Sequence, residues 1–131
     1  MAPPDPIPRR LVALLSADVA GYSRLMGADE LGTVRTLVAY CEVMAGLIPE
    51  HRGRVVDSPG DNVLAEFNSV VDAVECSVRI QHALRLGNAE LPAARRMEFR
   101  IGINLGGVIV EGERPYGEGV NIAALWLRDT T

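Results

Sequence analysis

The sequence predicts an α+β domain in which a mainly antiparallel sheet carries helices on one face. Three observations lead there. Apolar residues change period along the chain, from short continuous runs to sustained steps of three and four and back, in the order strand, helix, hairpin, helix, strands. The length, 131 residues, suits one core and leaves no room for two independent units. The hydrophobic fraction of 48 % and charged fraction of 23 % are those of a globular chain, which excludes disorder and low complexity.

Each element has its own signal. Residues 1–8 hold four prolines and read as an arm preceding a domain over residues 9–131. Leu11 to Leu15 is a continuous apolar run, the mark of a buried strand, and it delivers Asp18 at its end. Leu31, Val34, Val38, Cys41, Ala45 and Ile48 then recur at helical spacing until Pro49 closes the stripe. Gly53 to Phe67 reads as a hairpin turning at Ser58-Pro59-Gly60-Asp61, with proline and glycine placed as a type II turn prefers. Ser69 with Asp72 is an N-cap signature for a second helix through Ala73, Cys76, Ile80 and Leu84, which Gly87 can cap. After a polar loop from Asn88 to Arg96, MEFRIGINLG and GVIVEG read as two strands around Gly106-Gly107, and a last helix is expected to begin near Val120. The order matches a ferredoxin-like sandwich.

Composition excludes several chemistries. All 13 basic residues are arginine, so no lysine is present for a Schiff base, a Walker-type loop or a lysine phosphate clamp. The net charge of −4 and the scattered arginines form no basic stripe, which argues against nucleic acid as a partner. Cys41 and Cys76 fall on apolar helix sides and suggest buried thiols rather than a disulfide or metal framework. No signal-peptide run and no membrane segment of about 18 uninterrupted apolar residues occurs, so the expected location is cytoplasmic.

Two carboxylates stand where a strand gives way to a turn: Asp18 in SADVAGYS and Asp61 in DSPGDNVLAEF. Taken singly, Asp18 could cap the helix that follows and Asp61 could satisfy its own turn. Taken together, they sit on neighbouring strands of the expected sheet and can converge on a hard cation such as Mg²⁺ or Mn²⁺.

Three ordered motifs, spanning about Arg9 to Ala124, resemble the class III adenylate and guanylate cyclases. Asp18-Val19-Ala20-Gly21-Tyr22-Ser23 is similar to the family's first metal motif. Gly53-Arg54-Val55-Val56 running into Gly60-Asp61 and Leu64-Ala65-Glu66-Phe67 is similar to its hairpin with the second metal aspartate. Arg100-Ile101-Gly102-Ile103 followed by Tyr116-Gly117-Glu118-Gly119-Val120-Asn121-Ile122-Ala123 is similar to its third signature.

The resemblance implies conversion of a nucleoside triphosphate, ATP in preference to GTP, to a 3′,5′-cyclic nucleotide and pyrophosphate. It implies two Mg²⁺ or Mn²⁺ ions held by Asp18, Asp61 and the backbone carbonyl of Val19. Backbone amides of Ala20, Gly21, Tyr22 and Ser23 would meet the phosphates. It further implies a head-to-tail homodimer, or pairing with a related cyclase domain, in which Asn121 orients ribose or phosphate across the interface; the alternative for Asn121 is a cap on the last helix.

The pattern also breaks. Asp57 stands where many adenylate cyclases hold a base-reading lysine, and Arg114 where they often hold an aspartate, so a swapped pair is expected to read the base. Leu125 occupies the place of a transition-state arginine four residues after Asn121. The stretch LWLRDTT no longer resembles the family, from which an incomplete C-terminus and an uncovered sheet edge or core face are expected. These departures support a second reading, a degenerate nucleotide-binding or dimerisation module without catalysis.

Overall fold

The structure, a computed structural model, describes residues 9–58, 60–109 and 119–125. The proline-rich arm and Arg114 lie outside the described residues. The elements are β1 (Arg9–Val19), α1 (Tyr22–Ala28), α2 (Glu30–Glu50), β2 (Gly53–Asp57), β3 (Asn62–Phe67), α3 (Val70–Ala89), a 3₁₀ turn (Ala93–Arg95), β4 (Phe99–Ile109) and β5 (Gly119–Leu125). The sheet has the order β2-β3-β1-β4-β5, and every neighbouring pair is antiparallel. This is the α+β sandwich the sequence predicts, with the hairpin beside the first strand.

Period-two alternation decides which side of each strand is buried. Ala13, Leu15, Ala17 and Val19 of β1, Val63, Ala65 and Phe67 of β3, and Phe99, Ile101 and Ile103 of β4 form one core with α2 and α3. Their helical partners include Leu37, Tyr40, Met44 and Ile48 of α2 and Ala73, Cys76, Ile80 and Leu84 of α3. The intervening strand residues, Asp18 and Arg100 among them, occupy the second face, which among the described residues carries no helix.

Two expected elements differ. Gly106 and Gly107 do not separate two strands: they pair with Val12 and Leu11 in unbroken register, because β1 reaches back to Arg9 and gives the whole of β4 a ladder partner. The segment from Gly119 is a strand rather than a helix. Val120 and Ile122 are β-branched, and a short apolar run cannot be assigned to helix or strand by periodicity alone; here it pairs along the outer edge of β4.

Helix α2 also turns a different face inward. Of the expected stripe only Ile48 is buried, while Leu31, Val34 and Val38 are 61 %, 39 % and 53 % exposed. The buried face runs through Thr33, Thr36, Leu37, Tyr40 and Met44. Thr33 can turn inward because its hydroxyl donates to the Leu25 carbonyl at 2.9 Å. By length and composition α2 is apolar enough to cross a bilayer, but here it lies on the sheet as a core helix. Asp29 caps it by accepting from Gly32 N–H at 3.0 Å, and Ser69 caps α3 by accepting from Asp72 N–H at 3.3 Å. Gly87 is not the cap of α3, which continues to Ala89; a side chain there would meet the Tyr40 hydroxyl at 2.9 Å.

Burial pushes the Cys76 thiol up to about 11, with Glu50 adding to the effect, and burial also raises Cys41. The thiolate of Cys76 is therefore scarce near neutral pH. Iodoacetamide at pH 8 is expected to modify Cys41 slowly and Cys76 only after urea unfolding. Peptide mass mapping that found equal labelling of both in the folded protein would contradict this packing.

Candidate active site

The second face of the sheet is organised in rungs. Asn62, Asp18 and Arg100 stand opposite one another across β3, β1 and β4; Leu64, Ser16 and Gly102 form the next rung, and Glu66, Leu14 and Asn104 the third. Asp18 is one residue from the end of β1, with a side chain 34 % exposed. Its carboxylate accepts from the Arg100 guanidinium, Nη2 to Oδ2 at 2.5 Å. Register explains the pair, since directly opposed side chains on one sheet face lie about 5 Å apart. Asp18 does not cap α1, whose N-cap is Gly21.

Asp61 precedes Asn62, the residue opposite Asp18, so both carboxylates stand at one end of adjacent strands as the hairpin reading requires. Gly60 has φ +58°, a left-handed value that glycine supplies at the hairpin turn. Further along the face, the Arg54 guanidinium donates through Nε and Nη2 to Glu66 Oε1 at 3.1 and 2.8 Å, tying the hairpin strands together.

After β1 the chain reverses through Ala20 and Gly21. The Ala20 amide donates to the Glu98 carbonyl at 2.8 Å, so that N–H is already committed within the fold and cannot meet a phosphate without breaking this bond. Gly21 sits at φ +67°, ψ +35°, where a side chain would be strained. Tyr22 packs partly against the core, and Ser23 is exposed. The amides of Tyr22, Ser23 and Arg24 open α1 and have no intrahelical acceptor. Sequence reasoning missed Arg24: its guanidinium lies over Gly21, with Nη2 3.4 Å from where a side-chain carbon would stand.

The remaining candidates do not gather here. Asp57 ends β2 at the sheet edge, where its carboxylate accepts from Ser58 N–H at 2.9 Å. Asn121 lies on β5 opposite Asn104. Two strand spacings and four residues of rise separate it from Asp18, on the order of 15 Å. Because Asn121 sits within a strand, it does not cap a last helix. Leu125 pairs with Ile101, beside Arg100 in sequence, so it is not one helical turn beyond Asn121 but four residues along a strand.

The donor set fits a hard divalent cation in kind. Asp18 and Asp61 supply carboxylate oxygens, and Val19, whose side chain is 2 % exposed in the core, can contribute only backbone. Among the described residues no group of three or more His, Cys, Asp or Glu side chains could hold a metal. A cation here would complete its shell from phosphate oxygens and water, the usual condition for Mg²⁺.

No protein-family model matches the chain. It is 47 % identical over 121 residues to a protein of Rhizobium meliloti (strain 1021) named "Putative adenylate cyclase 3"; the match covers 92 % of this chain and 21 % of that one. The chain thus spans about a fifth of the length of this curated relative. The crystal structure of an adenylate/guanylate cyclase/hydrolase from Silicibacter pomeroyi superposes with a TM-score of 0.78 at 37 % identity, covering 89 % of this chain and 69 % of that one. The guanylyl cyclase Cya2 superposes with a TM-score of 0.67 at 28 % identity, over 88 % and 66 % of the two chains. With the three motifs in order on a matching sheet, and a 37 % identical solved relative of which more than two thirds is covered, the chain belongs to the class III adenylate/guanylate cyclase family.

Proposed function

We propose that this chain is a nucleotidyl cyclase catalytic domain acting in cyclic-nucleotide signalling in the cytoplasm, and that it converts ATP to 3′,5′-cyclic AMP and pyrophosphate. The observation that carries the proposal is the placement of Asp18 and Asp61 at one end of adjacent strands, with Asp18 on the sheet face where no described helix packs. Two Mg²⁺ or Mn²⁺ ions, when bound, would acidify the ribose 3′-hydroxyl and neutralise charge on the phosphate chain. Asp18 and Asp61, with the Val19 carbonyl, hold and orient that charge. The Gly21 turn and the first amides of α1 bind the β- and γ-phosphates; α1 has only seven residues, so its amides matter more than its dipole. With no lysine in the chain, Arg24 is the side chain placed to add positive charge to that turn.

A second copy of the chain, or a related cyclase domain, completes the site. The separation of Asn121 from Asp18 supports this, because one triphosphate cannot touch both ends of so long a diagonal at its reacting atoms. Asn121 of one chain then orients ribose or phosphate held by the aspartates of the other, and Asp57 with Arg114 reads the purine.

The test is an assay of the purified chain with Mn²⁺ and either ATP or GTP, with the product identified by chromatography. Cyclic AMP is expected in excess of cyclic GMP, with specific activity rising with protein concentration as dimers form. Leu125 favours a second reading, a non-catalytic module, since a missing cationic donor lowers phosphoryl-type chemistry by about 10²–10³-fold. Triphosphate binding with no product at dimer-saturating concentration would establish that module, and equal binding of ATP, GTP and CTP would remove base reading by Asp57 and Arg114.

A further inference from the structure

We infer that Asn62 is a further ligand at the cation site, bringing its carboxamide Oδ1 as a third side-chain oxygen beside those of Asp18 and Asp61. The inference rests on the metal-site reading above and adds a residue to it. The family resemblance of the hairpin runs through Gly60-Asp61 and resumes at Leu64, so Asn62 comes from the structure rather than from a motif. Strand β3 begins at Asn62, directly opposite Asp18 and so on the same sheet face, while Asp61 lies in the turn just before it. Register thus sets Asn62 on one side of Asp18 as it sets Arg100 on the other.

The spacing suits a shared ion. Side chains opposed across an antiparallel pair have Cβ atoms about 5 Å apart, and aspartate and asparagine, equal in length, can each turn one oxygen toward a cation held between them at about 2.1 Å. The Arg100 guanidinium donates to Asp18 Oδ2 from the β4 side, which leaves the β3 side of Asp18 for the cation, and there Asp61 and Asn62 are consecutive. The Asn62 carboxamide is half-buried and makes no hydrogen bond among the described residues. Its backbone carbonyl accepts from Ser58 Oγ at 3.1 Å, a bond across the hairpin turn that holds the start of β3 in place. An amide oxygen is a hard donor without charge. It enlarges the donor set without the repulsion that a third carboxylate would add to the metal-free protein.

The test titrates the full chain with Mn²⁺ alone and reads free and bound ion by electron paramagnetic resonance, without nucleotide or turnover. Asn62→Ala is expected to weaken Mn²⁺ binding by about tenfold, the low end of what loss of a supporting partner costs a metal site. Asn62→Asp keeps an oxygen at the same place and adds charge, so it should bind Mn²⁺ at least as tightly as the parent. An asparagine needed for its N–H donors would not be rescued by that change. Asn104→Ala, further along the same face, should leave the affinity at the parent's value, and circular dichroism of each variant keeps folding out of the comparison. Parental Mn²⁺ affinity in Asn62→Ala overturns the ligand role, and so does weakened binding in Asn62→Asp. If Asp18→Asn leaves Mn²⁺ binding intact, the metal-site reading has failed and the role of Asn62 with it; binding lost in Asp18→Asn but kept in Asn62→Ala removes Asn62 alone.

Discussion

Asp18→Ala is expected to lower cyclic-nucleotide formation about a thousandfold or more in any assembly where the parent chain turns over, while barely changing stability. The contrast follows from where Asp18 sits. It belongs to no core cluster and caps no helix, and its one described partner is the exposed Arg100. An ion pair of this exposure contributes about 0–1 kcal/mol, so the urea midpoint should move little. The catalytic cost is of another order. Losing one preorganised electrostatic contact costs about 10²–10³ in rate, and Asp18 would supply a ligand on which metal occupancy itself depends. Asp61→Ala should act in the same direction, because the proposed metal site takes both carboxylates. Chromatographic product assays alongside urea titrations check both halves. More than a tenth of parental activity in Asp18→Ala would remove the metal role.

That Asp18 and Asp61 stand at one end of adjacent strands was legible in the sequence, because strand order follows from chain order once the hairpin is placed beside β1. The Ser69 cap and the turn at Gly60 were legible for a local reason: side-chain capping and positive φ are decided within a few residues. What failed was whatever depends on a distant partner. The face α2 buries cannot be chosen from period alone when Thr33, through its hydroxyl hydrogen bond, and Thr36 both stand on the buried face, while Leu31, Val34 and Val38 are exposed. The strand β5 depends on an available edge of β4, which is a tertiary fact. The Asp18–Arg100 pair depends on an 82-residue separation closed by register. Arg100 was visible only as a letter in a motif; its chemistry comes from the residue opposite.

The same limit hid Asn88, and its replacement should have the largest effect on stability outside the apolar core. In sequence it opens a polar loop; in the structure it lies in the last turn of α3 and joins three elements. Its Oδ1 accepts from the Tyr40 hydroxyl of α2 at 2.6 Å and from the Met97 amide at 3.0 Å, and its Nδ2 donates to the Met97 carbonyl at 2.9 Å. Met97 is 1 % exposed, so its amide and carbonyl have no easy recourse to water once Asn88 is gone. Three bonds at about 1 kcal/mol each put the cost of Asn88→Ala at about 3 kcal/mol, much of it from stranding the Met97 backbone. Tyr40→Phe removes one of the three and should cost about 1 kcal/mol. The double variant should cost less than the sum, because the Tyr40 bond is already lost in Asn88→Ala. Asn88→Asp separates the network from general effects on the helix: it keeps the Tyr40 and Met97 amide bonds but sets a carboxylate oxygen against the Met97 carbonyl, so it should fall between the other two at neutral pH. The reach extends to the site, since Met97 leads into β4 and fixes the register that sets Arg100 opposite Asp18. Urea midpoints that place Asn88→Ala within 1 kcal/mol of the parent would show that β4 is held without this clamp, and the Arg100–Asp18 alignment would then rest on strand pairing alone.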